Sequence, residues 1–428
     1  MSDLLLPFAY SALFLFLIRK SKWMYFRGIS NSRLQVFFLV KALAGIVVTF
    51  IAFHSPGSTD MTGYFTSGQQ LFHLSFREPT RFLQVMTGLD DASSEPFLNT
   101  LGGWYVYAWD LPLNDNRIMI RLNALISFFS VGNPYVHAVC FCFLSTVGMI
   151  LLLKSVSSVL PPQTIFIAAA GLCLFPGLLC WTSVISKESL AVFLMGSLLY
   201  TFQQFLQNPG KYPNLFFMIL IVSVFVFSKV YLLLLLIPSL IAWAICYFRK
   251  TKRTWLTFTG IHVATIALLV TAGKINPHFD PSWIVYQKQM NFVHFIKAAA
   301  PETKIEVAEP EYGYRSLLQS VPEALLISLT HPRISELGNT FLIPFFMENL
   351  ILICLLPFSI YRHRRLEYAP FNWTTFYFSA GLLILTGLCV PVTGLLIRFR
   401  APVLLLMVFL FAQVLTRPGS LPEEANRA

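Results

Sequence analysis

The sequence predicts an all-α polytopic membrane protein, and two observations carry that expectation. Over 428 residues the chain is 56% apolar and only 12% charged, with a mean hydropathy of +0.66, far from the balance of a soluble domain. The charges also sort by sign along a series of long apolar runs. Nearly every carboxylate lies in the gaps on one side of these runs, and most clustered Lys and Arg lie in the gaps on the other. A net charge of +11 would suggest nucleic acid in a soluble protein. Here the basic residues flank apolar runs, where they set orientation and meet anionic headgroups, so no nucleic-acid role is expected.

A span needs about 20 residues of helix. Runs of this kind lie near 4–18, 34–53, 137–153, 163–180, 189–206, 214–228, 231–247, 254–272, 341–360, 372–390 and 401–416, which gives about 11 transmembrane helices. The first run has no basic segment before it and no small-residue cleavage site after it, so it reads as a span rather than a signal peptide. Arg19, Lys20, Lys22, Arg27 and Arg33 follow span one; Arg249, Lys250, Lys252 and Arg253 follow span seven; Arg362, Arg364 and Arg365 follow span nine. The positive-inside rule places these three gaps in the cytoplasm. All follow odd-numbered spans, so the N-terminus is expected outside and the C-terminus inside. Of the 20 acidic residues, only Glu367, Glu423 and Glu424 then lie on the inner side. Residues 1–416 are expected to form a single integral domain and 417–428 a short cytoplasmic tail.

Two outer loops are long enough to carry structure, about 54–136 and 273–340. The first is rich in aromatics and holds two helical patterns. Ile118, Leu122, Leu125 and Phe129 share one helical face, with Arg117, Arg121 and Asn123 away from it, as for a helix resting in the membrane interface. Residues 61–76 show a weaker version of the same pattern. The stretch 321–329 is apolar but too short to span, and is expected to be another interfacial helix. All seven cysteines lie in apolar stretches, where free Cys behaves as a small hydrophobe. They form neither a disulfide framework nor a metal spacing.

No dinucleotide, P-loop, zinc-protease or nucleophile-elbow motif occurs, so no cofactor is expected, and a divalent metal is left open. His73, His137, His278, His294 and His331 lack ligand spacing and read as surface or interfacial. Asn372-Trp373-Thr374 matches a glycosylation acceptor but lies at an inner boundary. The candidates are charges at the outer ends of spans. Asp60 follows the second span, and either it or Thr59 caps the helix that begins near Met61, or Asp60 serves as a general base. Lys187 and Glu188 stand at the mouth of the fifth span, where the helix dipole favours Glu and disfavours Lys; both also fit charges snorkelling to water. Lys229 lies in the hairpin expected between spans six and seven, and Arg398 and Arg400 in the one between the last two. Short outer loops normally lose Lys and Arg. An anionic ligand explains the exceptions, since Arg binds phosphate in bidentate fashion; pairing with loop carboxylates is the structural alternative. Glu348, inside an apolar run, is costly there and is expected to be paired or functional. Lys41, within the second span, also fits a snorkelling cation. Arg117 and Arg121 form local helix pairs with Asp110 and Asp115, or support the site.

The aspartate just past an early span, the long first outer loop, the string Trp181-Thr-Ser-Val-Ile-Ser-Lys187-Glu188 and the late Arg398-Phe-Arg400 together resemble GT-C glycosyltransferases, and bacterial polytopic proteins related to that class. The resemblance covers most of the chain in layout but only short strings in sequence. It implies a GT-C-like fold in a bacterial inner membrane. It also implies a donor that is a polyprenyl-phosphate-linked sugar, and a glycan, lipid or protein as acceptor. Asp60 would match the aspartate that activates the acceptor, and Arg398 and Arg400, with Lys187 and Lys229, would hold the lipid phosphate; Glu188, Glu348, Arg117 and Arg121 would support them. Two features depart from the class: an extra span precedes the aspartate-bearing loop, and Asp60 has no adjacent acidic partner.

An exopolysaccharide or O-antigen polymerase fits the strings around Asp60 and Arg398 nearly as well. A transporter or lipid flippase would show inverted repeats and midplane charges, whereas these charges crowd one boundary. A scaffold leaves the outer cations unexplained.

Overall fold

The computed structural model describes residues 2–55, 59–90, 92–104, 114–299, 301–362 and 369–416. Asp110, Arg364, Arg365, Glu367 and the tail 417–428 lie outside them. Among the described residues every regular element is helical, apart from two isolated bridges. In chain order these are α1 (Ser2–Lys20), α2 (Asn31–His54), α3 (Asp60–Arg77), α4 (Pro79–Thr87), α5 (Glu95–Leu98), α6 (Asn116–Ser130), α7 (Pro134–Val156), α8 (Pro162–Leu174) and α9 (Pro176–Trp181). Then come α10 (Lys187–Gln207), α11 (Tyr212–Arg249), α12 (Thr254–Ile275), α13 (Pro281–Ala299), α14 (Tyr314–Thr330), α15 (Ile343–Arg362), α16 (Ala369–Cys389) and α17 (Thr393–Leu415).

Among the described residues seven helices are long and apolar enough to cross a membrane: α2, α7, α10, α11, α12, the segment Thr340–Ser359 leading through α15, and α17. The remaining expected spans form helices as well, with local differences. The run 163–180 is not continuous: Phe175 is extended before Pro176 and α8 stops, because a proline disfavours helical geometry in the residue ahead of it. The expected spans 214–228 and 231–247 are merged in α11, with Lys229 the non-helical residue between them (φ −140°, ψ 70°). The last helix begins at Thr393, eight residues before the expected start at 401.

Many large apolar side chains face out and several polar ones are buried, unlike a soluble protein, where exposed large hydrophobics are few. On α2 the buried positions include Lys41, Gly45 and Thr49, while Val36, Leu39, Leu43, Val47 and Phe50 face out. On α6 Asn123, Ser127 and Ser130 are buried, whereas Leu125, Phe128 and Phe129 are exposed. Asn123 therefore belongs to the packed face of α6, and the apolar stripe read from the sequence is its outer face. Polar groups turned inward and hydrocarbon turned outward are what a lipid solvent demands. The chain is a helical membrane protein.

Close contacts divide it into two compact units, Met1–Ser158 with Leu178–Val230, and Val159–Gly177 with Tyr231–Ala428. In the first, α7 packs on α10, α2 and α1. A Cβ added to Gly196 would collide with the Gly148 carbonyl oxygen, so α7 and α10 touch backbone to backbone. Phe14 of α1 stacks on Phe143 of α7 at 4.2 Å. Helix α3 lies on α6, with Gly68 against Asn123.

In the second unit α17 is buried nearly all round and packs on α8, α15 and α16. Asn372 and Gln413 exchange amide hydrogen bonds between α16 and α17 (2.9 and 3.3 Å), so the glycosylation match is spent on packing. Helix α14 crosses α16 where Gly387 meets the Ala324 carbonyl. It extends over 17 residues, well beyond the expected 321–329.

Candidate functional site

In the first unit Thr59 caps α3, with its side chain accepting from the Thr62 amide and the Thr62 hydroxyl accepting from the Thr59 amide. Of the two cap candidates the cap is therefore Thr59. Asp60, the first helical residue, is exposed and sits where the dipole favours an anion. One turn further on, on the same face and roughly 5–6 Å away by helix geometry, stands Tyr64. Its hydroxyl donates to Asn116 Oδ1 at 2.9 Å, and its ring lies 5.6 Å from the Lys187 ammonium. Ser186 caps α10 by accepting from the Ser189 amide, which makes Lys187 the first helical residue. A cation there opposes the dipole, and Asp115 compensates it at 2.5 Å. Lys187 is thus paired, without snorkelling free.

Arg117 and Arg121 both lie beside Trp104. Their guanidinium groups lie 5.4 and 5.2 Å from the Trp104 ring, and their Nε atoms donate to the carbonyls of Trp104 and Val85 respectively. Burial pulls the Arg121 pKa below its ordinary value; Asp90 opposes this and Arg117 adds to it. Asn114 and Asn116 donate to the carbonyls of Gly103 and Trp104, tying that loop to the start of α6. Tyr64, Asp115, Asn116 and Lys187 therefore form one polar patch between α3, α6 and α10, with Asp60 one helical turn before Tyr64.

Glu188 and Lys229 form a second feature. Their side chains are 1% and 2% exposed and meet at 2.5 Å, so neither snorkels. No loop surrounds Lys229; it is the break in α11, and its partner is fixed on α10. Lys41 is likewise fully buried and donates to Thr182 Oγ1 at 2.5 Å.

In the second unit Arg398 and Arg400 lie within α17 rather than in a hairpin, and both are buried. Arg400 Nη1 donates to the Ser328 carbonyl at 3.0 Å and to Asn349 Oδ1, while its Nε and Nη2 make no hydrogen bond among the described residues. Glu348 Oε2 accepts from the Gly177 amide at 2.6 Å. Beside them, Asn349 donates to the His331 carbonyl, His331 Nδ1 meets Glu336 Oε2 at 2.8 Å, and Thr393 donates to Glu336.

The candidate residues thus divide between the units: Asp60, Lys187, Glu188, Lys229, Arg117 and Arg121 in the first, and Glu348, Arg398 and Arg400 in the second. Tyr64, Asp115, Asn116 and Trp104 escaped the sequence reading as site residues, because Asp115 and Lys187 are 72 positions apart and no spacing rule joins them. His137 and His331 are buried rather than interfacial. Ser130 Oγ, His137 Nε2, His137 Nδ1 and Asn123 Oδ1 line up at 2.8 and 2.7 Å, the order of a nucleophile, a base and its orienting group. All three side chains are fully enclosed, so the relay joins α6 to α7 and offers no approach to a substrate. Among the described residues no three His, Cys, Asp or Glu side chains are grouped to hold a metal ion. Comparison with protein-family models, curated proteins and solved structures finds no match.

Proposed function

We propose that the protein is a membrane glycosyltransferase of the bacterial inner membrane that moves a sugar from a polyprenyl-phosphate donor to an acceptor at the outer face. The reading is supported above all by the patch in which Asp60 stands one helical turn from Tyr64 and its neighbour Lys187. A carboxylate one helical turn from the aromatic ring that meets the cation suits acceptor activation on one side of an anomeric carbon and a departing phosphate on the other.

In this scheme Asp60 takes the proton of an acceptor hydroxyl as its oxygen bonds to the anomeric carbon, and the carbon–oxygen bond to the lipid phosphate breaks. The phosphate leaves with the electron pair, and Lys187 stabilises its charge as its contact with Asp115 is exchanged for the phosphate. Positioned general-base help is worth about 10²–10⁴-fold. A fixed donor for the developing anion adds roughly 10²–10³-fold.

The same proposal includes eleven crossings with the N-terminus outside and the C-terminus inside. Helix α11 has 38 residues, roughly 57 Å at 1.5 Å per residue, nearly twice the roughly 30 Å hydrocarbon core. Two crossings meeting at Lys229 use that length, and they keep Arg249, Lys250, Lys252 and Arg253 on the cytoplasmic side.

The deciding experiment measures transfer of labelled sugar from a polyprenyl-phosphate donor in membranes containing the protein. Asp60→Asn is expected to lower transfer at least 100-fold and Lys187→Met at least tenfold, with both variants inserted normally. Asp60→Asn at parental rate overturns the base assignment. In the same assay Arg398→Ala and Arg400→Met test the phosphate role expected of that pair. Lengthening of an existing glycan by whole repeat units, with no single-sugar transfer, would point instead to a polymerase.

A further inference from the structure

In the second unit a single side chain ties Arg400 to His331. The Asn349 amide donates to the His331 carbonyl at 2.5 Å, and its oxygen accepts from Arg400 Nη1. Arg400 is 1% exposed and His331 5%. Each nevertheless keeps buried polar atoms that make no hydrogen bond among the described residues: Nε and Nη2 of Arg400, and Nε2 of His331. Buried polar atoms of folded proteins are nearly always paired, so these atoms, on two side chains held by one amide, point to a ligand.

The atoms themselves define what can meet them. Nε and Nη2 share one edge of the guanidinium, whose parallel N–H bonds match the two oxygens of a carboxylate. Nη1 donates to the Ser328 carbonyl and to Asn349, which fixes how that edge is turned. His331 presents the opposite polarity. Its Nδ1 lies 2.8 Å from Glu336 Oε2 and donates to that carboxylate, so Nε2 of the neutral ring carries a lone pair and needs a donor. Burial keeps the ring neutral by pulling its pKa below the ordinary value; Glu336 opposes this, while Arg333 and Arg400 add to it. A matching ligand therefore accepts from Arg400 and donates to His331. Charge narrows the choice further. The hydrogen bonds of Arg400 go to neutral oxygens, so a monoanion compensates it, whereas the Glu348 carboxylate, which acts on Arg400 electrostatically, disfavours a dianion such as phosphate.

We propose that Arg400 and His331 form a binding site for a small α-hydroxycarboxylate, with its carboxylate on the Nε and Nη2 edge of Arg400 and its hydroxyl donating to His331 Nε2. A carboxylate without the neighbouring hydroxyl leaves His331 unmet. A water molecule accepts and donates but brings no charge to the buried guanidinium. The enclosure of both side chains limits the ligand to a short acid. This site lies within the second unit and goes beyond the transfer reading, since it uses neither Asp60 nor Lys187.

The test titrates full-length protein in nanodiscs with lactate, propionate and inorganic phosphate, followed by calorimetry. Lactate is expected to bind at least about tenfold tighter than propionate, which differs from it only in lacking the hydroxyl. Arg400→Lys keeps the charge but loses the guanidinium edge, and should weaken lactate binding at least about tenfold. His331→Phe should bring lactate down to the level of propionate while leaving propionate unchanged, an outcome that loss of folding does not produce. Equal binding of lactate and propionate by the parent protein overturns the proposal, as does full lactate binding in Arg400→Lys. Phosphate bound as tightly as lactate overturns the carboxylate assignment and returns Arg400 to the phosphate role. No binding of lactate by the parent overturns the site altogether. The titration involves no sugar transfer, so its result and that of the Asp60→Asn assay stand or fall separately.

Discussion

Lys229 in the first unit and Arg400 in the second are both buried cations within apolar helices, and they are held in opposite ways. Lys229 meets the full charge of Glu188 at 2.5 Å. Arg400 is held by neutral oxygens, the Ser328 carbonyl and Asn349 Oδ1, while the nearby Glu348 carboxylate accepts from the Gly177 amide. The difference follows from the groups themselves. An ammonium is a compact, strongly hydrated charge that needs a counter-charge when water is removed; a guanidinium is delocalised, less hydrated and shaped to share several acceptors. The first unit therefore holds its cation in a direct ion pair, whereas the second holds it on neutral acceptors, with the Glu348 carboxylate acting on it electrostatically.

The largest effect expected from this contrast is at the ion pair. Lys229→Met alone leaves Glu188 buried and uncompensated, and is expected to cost about 3–5 kcal/mol of stability. Glu188→Leu/Lys229→Met should recover most of that loss, because no charge is stranded. Denaturant unfolding in detergent measures both, and a single variant as stable as the parent would break the contrast. The next effect is smaller. Arg400→Met strands the two acceptors and removes the cation that acts electrostatically on the buried Glu348 carboxylate, which keeps only the Gly177 amide, and is expected to cost about 1–3 kcal/mol. Arg400→Lys should restore little, since a single ammonium lacks the fork that spans both oxygens. If Arg400→Met proves more damaging than Lys229→Met, the two sites are ranked the wrong way round.

The smallest effect concerns pH and the outer segment of the second unit. Burial raises the Asp280 pKa, but donation from Tyr314, Ser282 and Tyr312 outweighs it and holds the carboxyl below its ordinary 3.8. Tyr314, partly desolvated and donating to that carboxylate, is pushed up to about 12. A depressed carboxyl stabilises the folded state fully above its unfolded pKa, and that contribution is lost as pH falls through the lower folded value. Protease cleavage within 301–313 should therefore stay slow near neutrality and accelerate below about pH 4. Asp280→Asn should show fast cleavage at both pH values. Cleavage that stays slow in the variant would mean that the segment is anchored elsewhere, by the Ile305 and Thr393 amides.

The membrane class was legible because composition and run length report the solvent directly, and helices form at every run read as a span. What misled was the assumption that a charge ends a span. Arg398 and Arg400 read as a hairpin because isolated cations are costly in apolar helices. Both instead lie within α17, and distant residues supply the acceptors of Arg400. On α6 the apolar stripe read from the sequence is the outer side, whereas the sequence did not mark that Asn123, on the other side, packs against protein. At the candidate patch, Asp60 and Lys187 stood out locally as charges at span ends, whereas Tyr64, Asp115 and Asn116 gained a role only through their neighbours.

By itself the sequence determined the solvent, the helices and the sorting of charge, since these depend on local composition and on the fixed rise of a helix. Only the tertiary structure decided which charges are paired, since the cost of a buried charge is met by groups tens to hundreds of positions away. Glu188 came to Lys229, Asp115 to Lys187, and Asn349 to Arg400 through helix packing, which local periodicity does not encode.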